Sequence, residues 1–310
     1  MRQCDGGTIR KSVRRKIGVP LLPKLLCVLC VFCAADVYPQ TEPDFLARKI
    51  TGGSDEQKRD ALLEIKNLQT ETASKIAVSA LKDSSEIVRA TAAFAVIFLP
   101  KDEAARNLVP LLADKKTLVR REAAYALGKV GDSQAINPLL QILQKDKVLE
   151  VRNAAIAALG EIGDAGAVAG LTKILQRKLQ TKEEFSRRSA ARSIGQISQI
   201  IQTNDVEVLT PESFLTDRFN FVEKPNYPKL IETFPTFRAA INVLIQTLQN
   251  SKESDDVKRE AAFALGAIGD QSAVPILQAN LNNQDYYLAE IAKESLRKIA
   301  VYAQFEVANE

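Results

Sequence analysis

From Ser54 to about Ala300, apolar residues recur at helical spacing, and the pattern itself recurs. In one stretch Val119, Ala123, Leu127 and Val130 mark a single helix face, with alanines between them small enough to let neighbouring helices approach. Gly128 and Gly131 end the helix, glycine entering the left-handed conformation without a Cβ penalty. Asp132 is placed to cap a second helix, in which Ile136, Leu139, Leu140 and Leu143 line one face and Gln141, Gln144 and Lys145 the other. The phrase from Val119 to Asp132 returns at Val151–Asp164 and again at Val257–Asp270. A period near 32 residues predicts a stack of similar helix pairs that share a continuous core, each unit unable to bury its apolar face alone.

The unit starts follow from caps and arginines. Ser54-x-x-Gln57 and Thr181-x-x-Glu184 both read as capping boxes. Further units begin at Asp83, Asp114, Asp146 and near Asp255, and Arg89, Arg120, Arg152 and Arg187 stand 31, 32 and 35 residues apart. Pro43 to Ile50, followed by Gly52-Gly53, predicts a capping helix. Asp285 to Ala300 predicts a closing helix, with residues 301–310 as a tail. The repeated arginines and aspartates are expected to cap helices and tie adjacent units together, because repetition argues for stacking.

The Val-Arg-x-x-Ala-Ala-x-Ala-Leu-Gly-x-Ile-Gly-Asp phrase resembles the HEAT-repeat family, in the short form first named from phycobilisome lyases. The resemblance covers Ser54 to Ala300 with one interruption. It implies an all-α fold, a right-handed α-solenoid of stacked helix pairs. Relatives with such repeats include deoxyhypusine hydroxylase, a di-iron oxidoreductase built on His-Glu pairs, and bilin lyase subunits. This chain has no histidine, so the iron chemistry does not carry over.

The interruption falls in the fifth unit. Its first helix, Arg187 to Gly195, is not followed at once by a second one, which reappears at Ala240–Gln249. The intervening insertion, about 202–236, holds four prolines and the aromatics Phe214, Phe219, Phe221, Tyr227 and Phe234. Such aromatic content suits either a loop folded back on the solenoid or a recognition element on its binding side. Phe219, Phe221 and Tyr227 are candidate partner-binding residues. A second candidate surface is the row of amides on the second helices, Asn137, Gln141, Asn242 and Gln246, which solenoid curvature would gather into a concave face.

The first 35 residues differ in kind. Arg10, Lys11, Arg14, Arg15, Lys16 and Lys24 precede an apolar run, Leu25 to Ala35, ending in Cys33-Ala34-Ala35. This order reads as a secretory signal cut after Ala35, with an uncleaved membrane anchor as the alternative. The run is too short to span a bilayer. Residues 36–53 then form a linker and the capping helix. Without the seven Lys/Arg and one acidic residue of the signal, 35 basic and 37 acidic residues remain, a net charge of −2. A nearly neutral body lacks the electrostatic footprint of a nucleic-acid binder. All four cysteines lie in the same segment, where they read as apolar filler.

Lacking histidine and, past the signal, cysteine, the chain has no imidazole base, no thiolate nucleophile and no usual ligand set for zinc or haem. No catalytic, cofactor or metal residue is assigned. The sequence points to an exported, non-catalytic scaffold or adaptor that binds another protein. An accessory or lyase-like chaperone for a cofactor-bearing protein is the alternative, and an enzyme related to deoxyhypusine hydroxylase comes third.

Overall fold

A computed structural model describes residues 42–203 and 230–308, and the side chains of 44–203 and 230–300. All regular structure among the described residues is helical. Helix α1 (Glu42–Gly52) packs on α2 (Asp55–Leu68) and α3 (Glu71–Ala77), the first pair of the stack. The next pairs are α4 (Glu86–Ala95) with α5 (Lys101–Leu108), α6 (Thr117–Val130) with α7 (Ile136–Lys145), and α8 (Leu149–Ile162) with α9 (Val168–Leu175). Helix α10 (Glu184–Thr203) finds its partner only after a short helix, α11 (Leu230–Thr233), in α12 (Thr236–Gln249). The pair α13 (Asp255–Ile268) and α14 (Val274–Ala279) and the closing helix α15 (Tyr286–Ala308) complete the stack. Six pairs therefore stand where the sequence places them.

Local chemistry explains the boundaries. Ser54 Oγ accepts from Gln57 N–H while Ser54 N–H donates to Gln57 Oε1, so the capping box at α2 forms. Asp132, Asp164 and Asp270 each accept the N–H two residues on, opening a short 3₁₀ turn that runs into the second helix. The glycines before them, Gly131, Gly163 and Gly269, hold φ of 68°, 75° and 84°.

Three expectations need correction. Thr181 does not cap α10: Gln180 holds the extended cap conformation, and a 3₁₀ turn over Thr181–Glu183 separates Thr181 from the helix proper. Residues 301–308 are not a tail but the end of α15, which exceeds its expected length by two turns. The insertion is shorter than 202–236. Gln202 lies within α10, buried, its Nε2 donating to Ala267 O at 2.8 Å, and Leu230 is buried at the start of α11.

The first helices (α2, α4, α6, α8, α10, α13, α15) pack side by side as one row, and alanine, serine and glycine at the contacts set their spacing. A Cβ on Gly128 would lie 2.8 Å from Ala158 Cα, and one on Gly160 would lie 2.6 Å from Ser193 Oγ. Ser193 and Ser295 donate across the row to Ile156 O and Ala262 O, at 3.0 and 2.9 Å. At Gly195 the missing side chain is replaced by the fully buried ring of Phe263, whose Cε1 would stand 2.7 Å from a Cβ there.

Gly128→Ala tests that spacing against helix propensity. Alanine should gain about 1 kcal/mol in an ordinary helix interior. Here the opposing atom is backbone and cannot swing away, so a net loss of about 1–3 kcal/mol is expected in urea titration. A stabilised variant would mean the row is loosely packed.

Candidate interaction surface

One polar contact recurs through the stack. Through the first five pairs, the cation at the second motif position of the first helix reaches the carboxylate that opens the next unit. Arg89 Nε and Nη2 donate to Asp114 Oδ2 and Oδ1 at 2.8 and 3.1 Å, and Arg120 grips Asp146 the same way at 2.7 and 3.2 Å. Lys58 pairs with Asp83 at 2.7 Å, Arg187 holds Glu253 through two 3.0 Å bonds, and Arg259 donates to Asp285 at 2.6 Å. The remaining nitrogen is used as well, since Nη1 of Arg89, Arg120 and Arg152 donates to the carbonyl of Asp83, Asp114 and Asp146 in its own unit. Each aspartate in turn accepts the N–H two residues on, at Ser85, Lys116, Val148 and Tyr287.

Sequence reasoning missed three acceptors or donors in this ladder. Glu183 and Glu253 stand where other units carry aspartate, and Arg259, not Lys258 at the motif position, reaches Asp285. The rung at Glu183 is the loosest, 3.3 Å from Arg152 Nη2. Glu183 also accepts from Arg177, and Arg152 Nε is buried with no partner among the described residues. The longer spacing to Arg187 was the available signal.

Burial alone would raise the carboxyl pKa of Asp83, Asp114, Asp146 and Asp285, but hydrogen bonds from Lys58, Arg89, Arg120 and Arg259, with those from backbone N–H groups, outweigh it and hold each below the ordinary aspartate value. A lowered folded-state pKa gives stability that is present above the unfolded pKa of about 3.9 and is lost as pH falls below it, toward the folded value. The melting temperature should therefore stay nearly level down to about pH 4.5 and fall below that. An Arg120→Met/Asp146→Leu variant should keep most of its neutral-pH stability and show a shallower acid slope. An unchanged slope would place the acid sensitivity elsewhere.

The amide row is exposed as expected: Asn137 and Gln141 on α7, Asn242 and Gln246 on α12. The tight row is that of the first helices. In most units the side chains at the third, seventh and eleventh motif positions of the first helices are partly exposed. Leu63, Phe94 and Tyr125 take the seventh position in their units, Arg192 takes it in the fifth, and Arg188 and Arg192 both donate to buried Glu260 at 3.4 and 2.9 Å. Lys129 pairs with Glu161 at 2.9 Å on the same face.

A cleft of about 430 Å³ opens at the opposite ends of the first helices, between two glycine–aspartate turns. Asp132, Asp164, Lys101, Ile162, Ile201 and Phe234 line it. Ile201 and Phe234 sit close to the two ends of the insertion. Phe219, Phe221 and Tyr227 lie outside the described residues, as does the segment read as an export signal. Among the described residues no group of histidine, cysteine and carboxylate side chains could hold a metal ion, and no helix is long and apolar enough to cross a membrane.

Family models describing HEAT repeats match residues 74–160, 105–194 and 231–299. The chain is similar to the complex of CpcE and CpcF of phycocyanin lyase from Nostoc sp. PCC7120, at 18% identity over 92% of this chain and 100% of that one, with a TM-score of 0.44. It is similar to human deoxyhypusine hydroxylase, at 19% identity over 84% and 97% of the two chains, with a TM-score of 0.35. A designed armadillo repeat protein in complex with the peptide (KR)4 matches at 16% identity over 84% and 99%, with a TM-score of 0.41. No curated protein matches the chain.

Proposed function

The chain belongs to the HEAT-repeat family, and from that premise we propose that it is a non-catalytic, protein-binding scaffold exported from the cytoplasm. The observation that carries the proposal is where the repeated charged groups go. Arg89, Arg120, Arg187 and their carboxylate partners are spent on the contact between units, and Asp132, Asp164 and Asp270 on helix caps. The motif's chemistry thus serves the architecture, and what it supports is a long array of helix faces. Arrays of this kind present extended binding surfaces.

Partner recognition is assigned to the insertion aromatics Phe219, Phe221 and Tyr227, with the amides Asn137, Gln141, Asn242 and Gln246 as the second surface. In-cell cross-linking of the tagged chain should recover one protein in near-stoichiometric amount. The triple alanine variant of the aromatics, melting like the parent, should recover at least about tenfold less, as expected when hot-spot aromatics are truncated. Equal recovery would move recognition to the helix faces, and a co-purifying chromophore or metal in place of a protein would overturn the scaffold reading. For export, the protein isolated from its source cells should begin at Asp36. An intact Met1 with the chain in the membrane fraction would support the anchored alternative.

A further inference from the structure

The ladder has an electrostatic by-product. It turns one carboxylate inward at each of the six loops that lead into a first helix: Asp83, Asp114, Asp146, Glu183, Glu253 and Asp285, with side chains only 3–14% exposed. The same loops leave their lysines in solvent. Lys82, Lys115, Lys147, Lys178, Lys182 and Lys252 are all exposed. The exposed carboxylates at these six loops are fewer, chiefly Glu150, Asp255 and Asp256, the last paired with Arg188 and Arg259, and Glu86 is paired with Lys116 at 2.9 Å. Asp55 and Glu56 lie at the start of α2. A body whose charges nearly cancel therefore carries a basic edge from the loop before α4 onward.

Apolar tips stand on that same edge. Six of the eight large hydrophobic side chains exposed among the described residues are Ile87, Leu179, Phe185, Leu281, Tyr286 and Tyr287, at 39–68% exposure. All lie in these loops or at the first residues of the helices they enter. The rung contacts place the last three loops side by side: Arg187 reaches Glu253, Arg188 reaches Asp256, and Arg259 reaches both Asp285 and, at 5.4 Å, the ring of Tyr287. Phe185 and the two tyrosines thus share one edge with Lys178, Lys182 and Lys252.

We propose that this edge docks on an anionic bilayer surface, the lysines against acidic headgroups and Phe185, Tyr286 and Leu179 at the interface. The loops project from helix ends, so a partner meets them across its own surface and does not have to enclose them. Aromatic and leucine tips flanked by lysines match the layered chemistry of a bilayer interface, apolar below and anionic above. This surface is separate from the insertion and the helix faces assigned to protein recognition.

Flotation with vesicles of three parts phosphatidylcholine to one part phosphatidylglycerol, and with phosphatidylcholine alone, tests the proposal on the full chain. Lys178→Glu/Lys182→Glu/Lys252→Glu should lower partitioning onto the acidic vesicles by about two orders of magnitude. Lys101→Glu/Lys173→Glu/Lys293→Glu, an equal charge change off this edge, should have little effect. Phe185→Ser/Tyr286→Ser, which spares the tyrosine stacked on Arg259, should weaken binding without moving the melting temperature. Equal loss in the two charge-reversed variants, undiminished binding by the edge variant, or no binding to acidic vesicles by the parent would overturn it. In the last case an acidic protein surface becomes the occupant to seek.

Discussion

The fork between an arginine of one unit and the carboxylate opening the next is the interaction on which this structure depends. A helix pair of some thirty residues has too little core to stand alone, so each unit borrows its neighbour's surface. Apolar packing supplies the energy of that contact but is indifferent to small slips along the helix. The guanidinium is not. Arg89 and Arg120 must meet two carboxylate oxygens and a carbonyl at once, while Asp114 and Asp146 cap the helix that follows. Replacing such a pair with apolar groups of similar volume need not cost stability, so its value here is register.

Close approach along the first-helix row imposes the second constraint, and the two work together. The row is spaced so that Gly128 faces Ala158 and Gly160 faces Ser193, leaving no room for a methyl group. Where the fifth unit departs from the pattern, the compensation is local. Arg192 replaces the apolar residue of other units and finds Glu260, Gly195 gives way to Phe263, and Gln202 ties the last turn of α10 to Ala267 O. The insertion therefore interrupts the chain without interrupting the row. Leu230 and Phe234 return to the core before α12 begins, which keeps the second helix of that unit in place.

What could be read from the sequence was whatever repeats. The helix pairs, the unit starts, the glycine–aspartate turns and the structural use of the arginines were all legible, because the same residues recur at the same spacing. Departures from the repeat were not. Thr181-x-x-Glu184 has the spacing of a capping box, yet the longer loop before it inserts a 3₁₀ turn and hands Glu183 to Arg152. Lys258 occupies the motif position, but Arg259, one residue on, has the reach and the fork to take Asp285. The close spacing of the first-helix row was hidden for a similar reason. Which row is tighter depends on what lies opposite Gly128 and Gly160, and periodicity within one helix carries no information about its neighbour.

The ladder also decides what the surface can say to a partner. In most proteins acidic and basic residues on a loop screen each other in solvent, and net charge is a fair guide to the field outside. Here the carboxylate of each loop is withdrawn to hold the preceding unit, and hydrogen bonds keep Asp83, Asp114, Asp146 and Asp285 ionised there. The lysines beside them lose their local counter-charge without any change in composition. A net charge near zero can then coexist with a one-sided field, because one carboxylate of each loop is committed to the contact between units. Surface character in such an array is thus set by the interaction that fixes its register, and adding a unit lengthens the core and the basic edge by the same step.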